Sequence, residues 1–318
     1  MARTRLAIIG LGKIARDQHI PALAGSDAFE LVGVASPHNK LAGVPSHEDI
    51  GTLLQAVPDI AAVALCTTPQ VRYDIARFAL ERGLHVLLEK PPGVTVSEVH
   101  ALSALARKSN VALFASWHSR HAPAVEPARA WLDGRNIRTV TVNWKEDVRV
   151  WHPGQTWIWK AGGLGVFDPG INALSILTRI IAGGLFLKHA ELRYPRNCET
   201  PIAASLSLSS ANGAPVRMEL DFLHTGPPEW SIDVDTEAGV LSLSKGGNEM
   251  QLAGKPVAVT QDTEYPNLYA HFASLVRARS VDVDVSPLQL VADAFLCGQR
   301  VEVEPFVETA TSAHVRSK

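Results

Sequence analysis

Cysteine is scarce: the 318 residues contain three, Cys66, Cys198 and Cys297, far apart and with no CxxC pair. This excludes a disulfide framework and a structural zinc site and suits a reducing compartment, so a cytoplasmic protein is expected. An excess of charge is missing too, since 30 Lys and Arg against 32 Asp and Glu leave a net charge of -2 and a pI near 6.6. Without a basic stripe there is no electrostatic footprint for nucleic acid or an anionic membrane surface. Long unbroken apolar runs are also absent. The longest apolar neighbourhood, Ile171 to Leu187, holds Asn172, Arg179 and Gly183-Gly184, which reads as a core helix and a turn, not a membrane span. The short run after Arg3 and Arg5 breaks at glycines, so it reads as a first strand, not a signal peptide. Internal repeats and low-complexity segments are lacking. What remains, with 46% hydrophobic and 19% charged residues, is enough for two packed domains.

The first third alternates apolar runs with helical stretches. Leu6 to Ile9 reads as a strand and leads into Gly10-Leu-Gly12-Lys13-Ile14-Ala15, a GxGxxA turn, with a helix from Ile14 to Leu23. Gly10 permits the tight turn, Gly12 lets backbone approach a pyrophosphate, and Ala15 lets helix and strand pack closely. Gly10, Gly12, Lys13 and Ile14 are therefore the candidates to meet phosphate at the helix N-terminus. Further strands are expected at Phe29 to Ala35, Ile60 to Cys66, His85 to Leu88 and Val111 to Ala115, with helices at Gln70 to Arg82 and Val96 to Ser109. Alternation of this kind predicts a parallel, doubly wound sheet.

Two strand ends carry chemistry. After Ala35 stands Ser36, followed by His38, Asn39 and Lys40, where a dinucleotide fold selecting NAD usually places an acidic residue on the ribose 2′-hydroxyl. A carboxylate would repel a 2′-phosphate, whereas Ser36 and His38 can accept one, so NADP is admitted and NAD stays possible. The apolar run His85-Val-Leu-Leu88 ends abruptly in Glu89-Lys90-Pro91-Pro92. Ligands of open α/β sheets sit beyond the carboxyl ends of the strands, so Lys90 points at whatever the sheet binds.

The second half is patterned differently. Val140 to Val150, Leu187 to Tyr194, Ile202 to Leu208, Val216 to Leu223, Trp230 to Thr236 and Val240 to Leu243 are strand candidates separated by Asn, Gly and Pro turns. Leu268 to Ala278 and Leu288 to Arg300 have helical spacing, and the latter is expected to pack back against the first domain. Four tryptophans lie between 144 and 159, beside Glu146 and His152. An indole covers the C–H face of a sugar while a carboxylate or imidazole bonds its hydroxyls, though core or interface packing is an equal use of the same residues. His118 and His121 have HxxH spacing without a third ligand, so no metal site is expected.

GLGKIA near the start, CTTP after the third clear strand and Glu89-Lys90-Pro91 after the fourth together resemble the Gfo/Idh/MocA oxidoreductase family. The resemblance covers nearly the whole chain. It implies an N-terminal Rossmann domain (1–120) and a C-terminal domain (121–318) built on an open, mainly antiparallel sheet, which binds substrate and pairs subunits as a homodimer. It also implies that Thr67, Thr68, Pro69, Glu89 and Lys90 lie at the cofactor, NADP or NAD. The segment Gly162-Gly163-Leu164-Gly165-Val166-Phe167-Asp168-Pro169-Gly170-Ile171-Asn172 is similar to the family's G-G-x-x-x-D-x-x-x-H. Asp168 matches, but Asn172 replaces the histidine, and asparagine cannot exchange a proton at neutral pH.

With Asn172, Ser36, the SWHSR segment and the WHPGQ loop, the chain resembles the branch of that family that oxidises L-arabinose or D-galactose at C1 to the lactone. On this resemblance Lys90, as base or as cation, and Asp168 are the acid-base candidates. Asn172, Glu146, His152, Trp151 and Trp230 are expected to hold the sugar, and His118 is either a substrate hydrogen-bonding group or a structural histidine. Two alternatives stand beside this: another sugar or polyol dehydrogenase, and a sensor that binds dinucleotide or sugar without turnover, which the loss of the family histidine would fit.

Overall fold

Two compact units make up the protein in the computed structural model, which describes residues 2–260 and 263–308. The first unit is the chain up to Ala122 joined by a later segment ending at Leu288; the second runs from Pro123 to Thr260 and resumes at Gln289.

The first unit is a seven-stranded, all-parallel sheet. Its strand order is Val281–Asp282, Leu113–Ser116, His85–Glu89, Ala62–Leu65, Thr4–Ile9, Phe29–Ala35 and Ser46–His47. Successive residues face opposite sides of such a sheet, and both sides are covered. Ala7, Ile9, Val63, Leu65, Val86 and Leu88 enter one core, and Leu6, Ile8, Ala62, Ala64 and Leu87 the other. After Thr4–Ile9 the chain builds outward through Phe29–Ala35, then returns to the other side of the first strand at Ala62–Leu65. That reversal opens a crevice at the carboxyl ends of these two strands.

The expected elements of this unit are present, with three differences. A helix at Ile50–Ala56, capped by the Asp49 side chain accepting from Thr52 N–H, stands in a stretch without strong periodicity. The helical run 13–24 contains a wider π-turn, Ala15–His19, closed by Ile20 N–H donating to Ala15 O. Pro21 follows, and its missing N–H and bulky ring disfavour a regular i→i−4 ladder at that point. The largest difference is the chain return: Glu264–Ala278 and Val281–Asp282, placed by sequence patterning in the C-terminal domain, complete the first unit. Tyr265, Leu268, Tyr269 and Phe272 are buried there, with Phe272 stacked between Phe29 and Phe114 at 5.3 and 6.3 Å. Each such side chain contributes about 1.5–3 kcal/mol on burial. The helix Ser286–Cys297 passes into the second unit after Leu288, and there Phe295 meets Phe167.

The second unit is a nine-stranded mixed sheet in the order Lys255–Val257, Glu249–Leu252, Gly239–Ser244, Glu229–Thr236, Ile137–Lys145, Pro215–Asp221, Ala203–Ser210, Leu185–Pro195 and Gln299–Val303. Neighbours are antiparallel except Ile137–Lys145 with Pro215–Asp221 and Leu185–Pro195 with Gln299–Val303. Val140, Val142, Trp144, Val216, Met218, Leu220, Ile232 and Val234 are buried, and the helix Phe167–Ile180 approaches closely where Gly170 faces Leu220. The strand expected to extend to Val150 ends at Lys145. Asp147 then accepts from the Arg149 N–H and pairs with its guanidinium, turning the chain into the short helix Val148–Trp151. Among the described residues no helix is long and apolar enough to cross a membrane.

Candidate active site

In the first unit the sequence-predicted cofactor residues gather at the carboxyl edge of the parallel sheet. Gly10 has φ +92°, and a Cβ there would lie 2.7 Å from Thr67 N and 2.8 Å from the Cys66 carbonyl carbon. Only glycine brings the first loop this close to the Thr67 loop. A Cβ on Gly12 would enter open space at the start of the helical run 13–24, a cradle suited to phosphate. The buried Thr67 Oγ1 has no hydrogen-bond partner and is an orphan that a bound ligand would satisfy. These features fit a dinucleotide. Thr68 caps and Pro69 begins the next helix, so both continue from the same edge. Lys13 pairs with Asp17 on the helix surface, and Ile14 packs into the core beneath. Ser36, nearly buried, donates its N–H to His47 O, while His38 and Lys40 are exposed. Arg16 reaches this loop, its Nη2 donating to Lys40 O at 3.4 Å; sequence analysis did not single it out.

The Glu89-Lys90-Pro91 corner is held from two sides. Arg72, 2% exposed, donates to the carbonyls of Glu89 and Pro91 and also to that of Thr67. One guanidinium thus ties together the two loops that follow Ala62–Leu65 and His85–Glu89. On the other side Glu89, 3% exposed, accepts from Lys90 N–H (2.8 Å), Tyr265 O–H (2.8 Å) and His19 Nε2 (3.1 Å). Burial opposes ionisation of Glu89, but the hydrogen bond and charge of His19, the charge of His118 and the Tyr265 hydroxyl outweigh it and hold its pKa at about 2. The Lys90–Pro91 peptide is cis. His118 is stacked on Tyr265, and its Nδ1 lies 2.9 Å from Glu264 Oε2.

Arg72, His19, Tyr265 and Glu264 were not anticipated. The available signal for His19 was slight: it stands four residues after Ala15, on the face that the fingerprint alanine turns inward, where a polar residue needs a partner.

In the second unit four of the residues proposed for sugar recognition, Glu146, His152, Trp151 and Trp230, come together, whereas His118 lies in the first unit. Glu146, 2% exposed, accepts from His152 Nε2 through one oxygen and from Trp230 Nε1 through the other, both at 2.9 Å. A carboxylate only accepts, so the His152 proton on Nε2 is set by Glu146 and Nδ1 is turned towards Asp168, 3.7 Å away. Trp151, 41% exposed, meets Trp230 edge-on at 4.9 Å, and Trp144 stacks on Trp230 at 6.2 Å. Of the four tryptophans between 144 and 159, Trp144 is core and Trp151 is the exposed one of this pair with Trp230.

Asp168 stands in the first turn of Phe167–Ile180, 3% exposed, and Asn172 follows one turn later. Glycines deliver that turn. A Cβ on Gly163 would sit 2.5 Å from Trp157 O, and one on Gly165, at φ +54°, would collide with Pro201 O. Among the described residues no three His, Cys, Asp or Glu side chains are grouped to hold a metal ion.

Residues 4–116 match the family described as "Oxidoreductase family, NAD-binding Rossmann fold". The chain is 44% identical over 308 residues to a galactose 1-dehydrogenase of Pseudomonas fluorescens, covering 97% of this chain and all of that one. The crystal structure of a D-galactose-1-dehydrogenase from Rhizobium etli is 51% identical, with a TM-score of 0.93 over 96% of this chain and 99% of that one. A 3-ketoreductase of Actinomadura kijaniata, KijD10, solved with NADP and TDP-benzene, shares the fold at 18% identity and a TM-score of 0.83, over 95% of this chain and 100% of that one.

Proposed function

The chain belongs to the Gfo/Idh/MocA oxidoreductase family, and from that premise we propose that it oxidises D-galactose and L-arabinose at C1 to the aldonolactone, with NADP+ or NAD+ as acceptor. The observation that carries the sugar assignment is the array in the second unit: the indoles of Trp151 and Trp230 beside Glu146, His152 and Asp168. Apolar ring faces next to directed polar groups match the two kinds of surface a pyranose presents. The near full-length likeness to galactose 1-dehydrogenases of two bacteria supports the same substrate class. D-Galactose and L-arabinose share configuration at C2, C3 and C4 and differ in the C6 hydroxymethyl group, so one pocket suits both.

A bound dinucleotide would supply the acceptor for the hydride that leaves C1. The protein's part is to orient the sugar and accept the proton of the C1 hydroxyl as the carbonyl forms. Lys90 and Asp168 are the groups for that proton; Asn172, Glu146 and His152 hold hydroxyls. Homodimerisation and a cytoplasmic location belong to the same reading, the first from the family and the second supported by three free thiols. The test is reduction of NADP+ and NAD+ on L-arabinose, D-galactose, D-xylose, D-glucose and myo-inositol, with product identification. Lactone from the first two sugars is the expected result. Tight dinucleotide binding with no turnover on any of them would favour a sensor.

NADP is accommodated in this reading by Ser36 together with His38, Lys40 and Arg16, the last of which reaches the loop after the second strand through the Lys40 carbonyl. Replacing Ser36 by Asp puts a carboxylate where the 2′-phosphate would lie. The KM for NADP+ is expected to rise at least about tenfold, ~1.4 kcal/mol of lost binding, while that for NAD+ stays within about threefold. Equal effects on both cofactors would remove Ser36 from the specificity site.

A further inference from the structure

We infer that His19 is a positioning residue for Lys90, acting through the buried carboxylate of Glu89. The inference rests on the reading that Lys90 serves the reaction centre.

Three observations lead to it. His19 is wholly buried, and both ring nitrogens are engaged: Nδ1 lies 2.7 Å from the Tyr269 hydroxyl and Nε2 lies 3.1 Å from Glu89 Oε1. The π-turn Ala15–His19 before Pro21 is the local backbone that carries this side chain into the core. A π-turn of this kind is uncommon and tends to occur where a side chain must be re-aimed.

Secondly, the Glu89 carboxylate divides its work. Oε1 takes His19 and Tyr265, while Oε2 takes the backbone N–H of Lys90. The two oxygens are one rigid group, so whatever fixes Oε1 also fixes the acceptor that orients the Lys90 peptide. Arg72 holds the carbonyls of Glu89 and Pro91, on either side of Lys90. The lysine Cα–Cβ bond is therefore aimed by charged groups rather than by loop packing. A misplacement of 1 Å at a reacting group costs on the order of 100-fold in rate, so such control has a use.

Thirdly, the groups around the pair favour its ionised form. Burial disfavours an imidazolium at His19, but the Cys66 thiol, the Tyr269 hydroxyl and the Glu89 carboxylate outweigh this and raise its pKa well above the usual histidine range. Tyr265 and Tyr269 are pushed up, first by their own burial, and stay neutral; the Tyr265 hydroxyl donates to Glu89, while the Tyr269 oxygen accepts from His19 Nδ1–H. His118, paired with Glu264, completes the surroundings. A charge-assisted hydrogen bond is shorter and stiffer than a neutral one. A buried ion pair is often no more stabilising than an apolar replacement, which fits a directional rather than a stabilising role.

The test compares His19→Gln/Glu89→Gln with the parent and with Lys90→Ala. The double variant removes both charges together and leaves amides able to hydrogen-bond, so no lone charge is buried. NADPH binding counts the folded sites. The expected result is a melting temperature and NADPH affinity close to the parent's, a sugar KM within about threefold, and a kcat per site lowered at least about tenfold. A kcat per site within twofold of the parent, with Lys90→Ala inactive, would overturn the role of His19 while leaving that of Lys90 standing. Full turnover in Lys90→Ala would overturn the reading of Lys90 and this inference with it. Should the double variant not fold, Tyr265→Phe removes one hydroxyl from Oε1 while retaining the ion pair and the ring. A kcat lowered at least about threefold at unchanged KM supports the inference, and an unchanged kcat overturns it.

Discussion

Lys90→Ala and Asp168→Ala are each expected to lower kcat on D-galactose or L-arabinose by at least about 100-fold, the usual contribution of a placed acid-base group. The two residues reach this expectation by different routes. Lys90 stands at the carboxyl end of His85–Glu89, with its peptide bound by Glu89 and its neighbours by Arg72. Asp168 stands in the first turn of Phe167–Ile180, its carboxylate 3.7 Å from His152 Nδ1. Asn172 occupies the position where the resembling family carries histidine and is unable to take a proton, so the proposed function assigns the C1 hydroxyl proton to one of these two groups. Asp168→Asn separates the roles at that position: it keeps the shape and the hydrogen-bonding capacity and removes the basicity. If Asp168 accepts the proton, Asn should be as slow as Ala; if it only orients His152 and the sugar, Asn should recover most of the turnover while KM changes. Initial rates at saturating cofactor decide between these. Near-parent turnover in both alanine variants would sink the assignment.

The largest effect on stability is expected at Arg72. Arg72→Met keeps the length and the apolar stem and removes all donors. Three carbonyls, of Thr67, Glu89 and Pro91, then lose a charged partner in a region that excludes water. Each unsatisfied buried acceptor costs about 1–3 kcal/mol, part of which is returned because the guanidinium no longer has to be desolvated. A net loss of about 3 kcal/mol follows, seen as a lower urea midpoint at unchanged slope. Arg72→Lys is expected to recover only part of it, since an ammonium cannot reach three acceptors in the fork geometry of a guanidinium. A loss below about 1 kcal/mol in the Met variant would mean that water replaces the guanidinium at these carbonyls.

The sheet of the first unit was legible because its strands are buried on both faces and so appear as unbroken apolar runs between glycines and prolines. Glu89-Lys90 stood out for the same reason, as charge at the end of such a run. Glu146, His152 and Trp151 stood out as indoles beside polar groups and Asp168 through a family pattern; the contacts of these residues with one another and with Trp230 come from a strand, a capped turn and a helix start that no spacing connects. Arg72 was hidden because the arginines of Pro69–Glu81, Arg72 and Arg77, read alike as a solvated face. Its partners are backbone carbonyls, and a carbonyl leaves no signature in the sequence. The turn at Val148–Trp151 was mistaken for strand because Val148 and Val150 alternate with polar residues, while Asp147 captures the Arg149 amide that a ladder would have used. Helical spacing in Glu264–Ala278 reported an amphipathic helix correctly, but amphipathicity names no partner, and the partner here lies far back in the chain.

That distant partnership bears on how the protein is made. On the ribosome the first strands emerge long before Tyr265, Leu268, Tyr269 and Phe272, whose rings cover Phe29 and Phe114. At ordinary elongation rates the nascent chain carries this uncovered apolar face for on the order of ten seconds while the other unit is synthesised. The dinucleotide half therefore cannot mature first, although it is encoded first. A gene fragment ending near Ala122 would express a sheet with one flank open to chaperones and to aggregation, so a dissected dinucleotide module would need the late segment grafted onto its end.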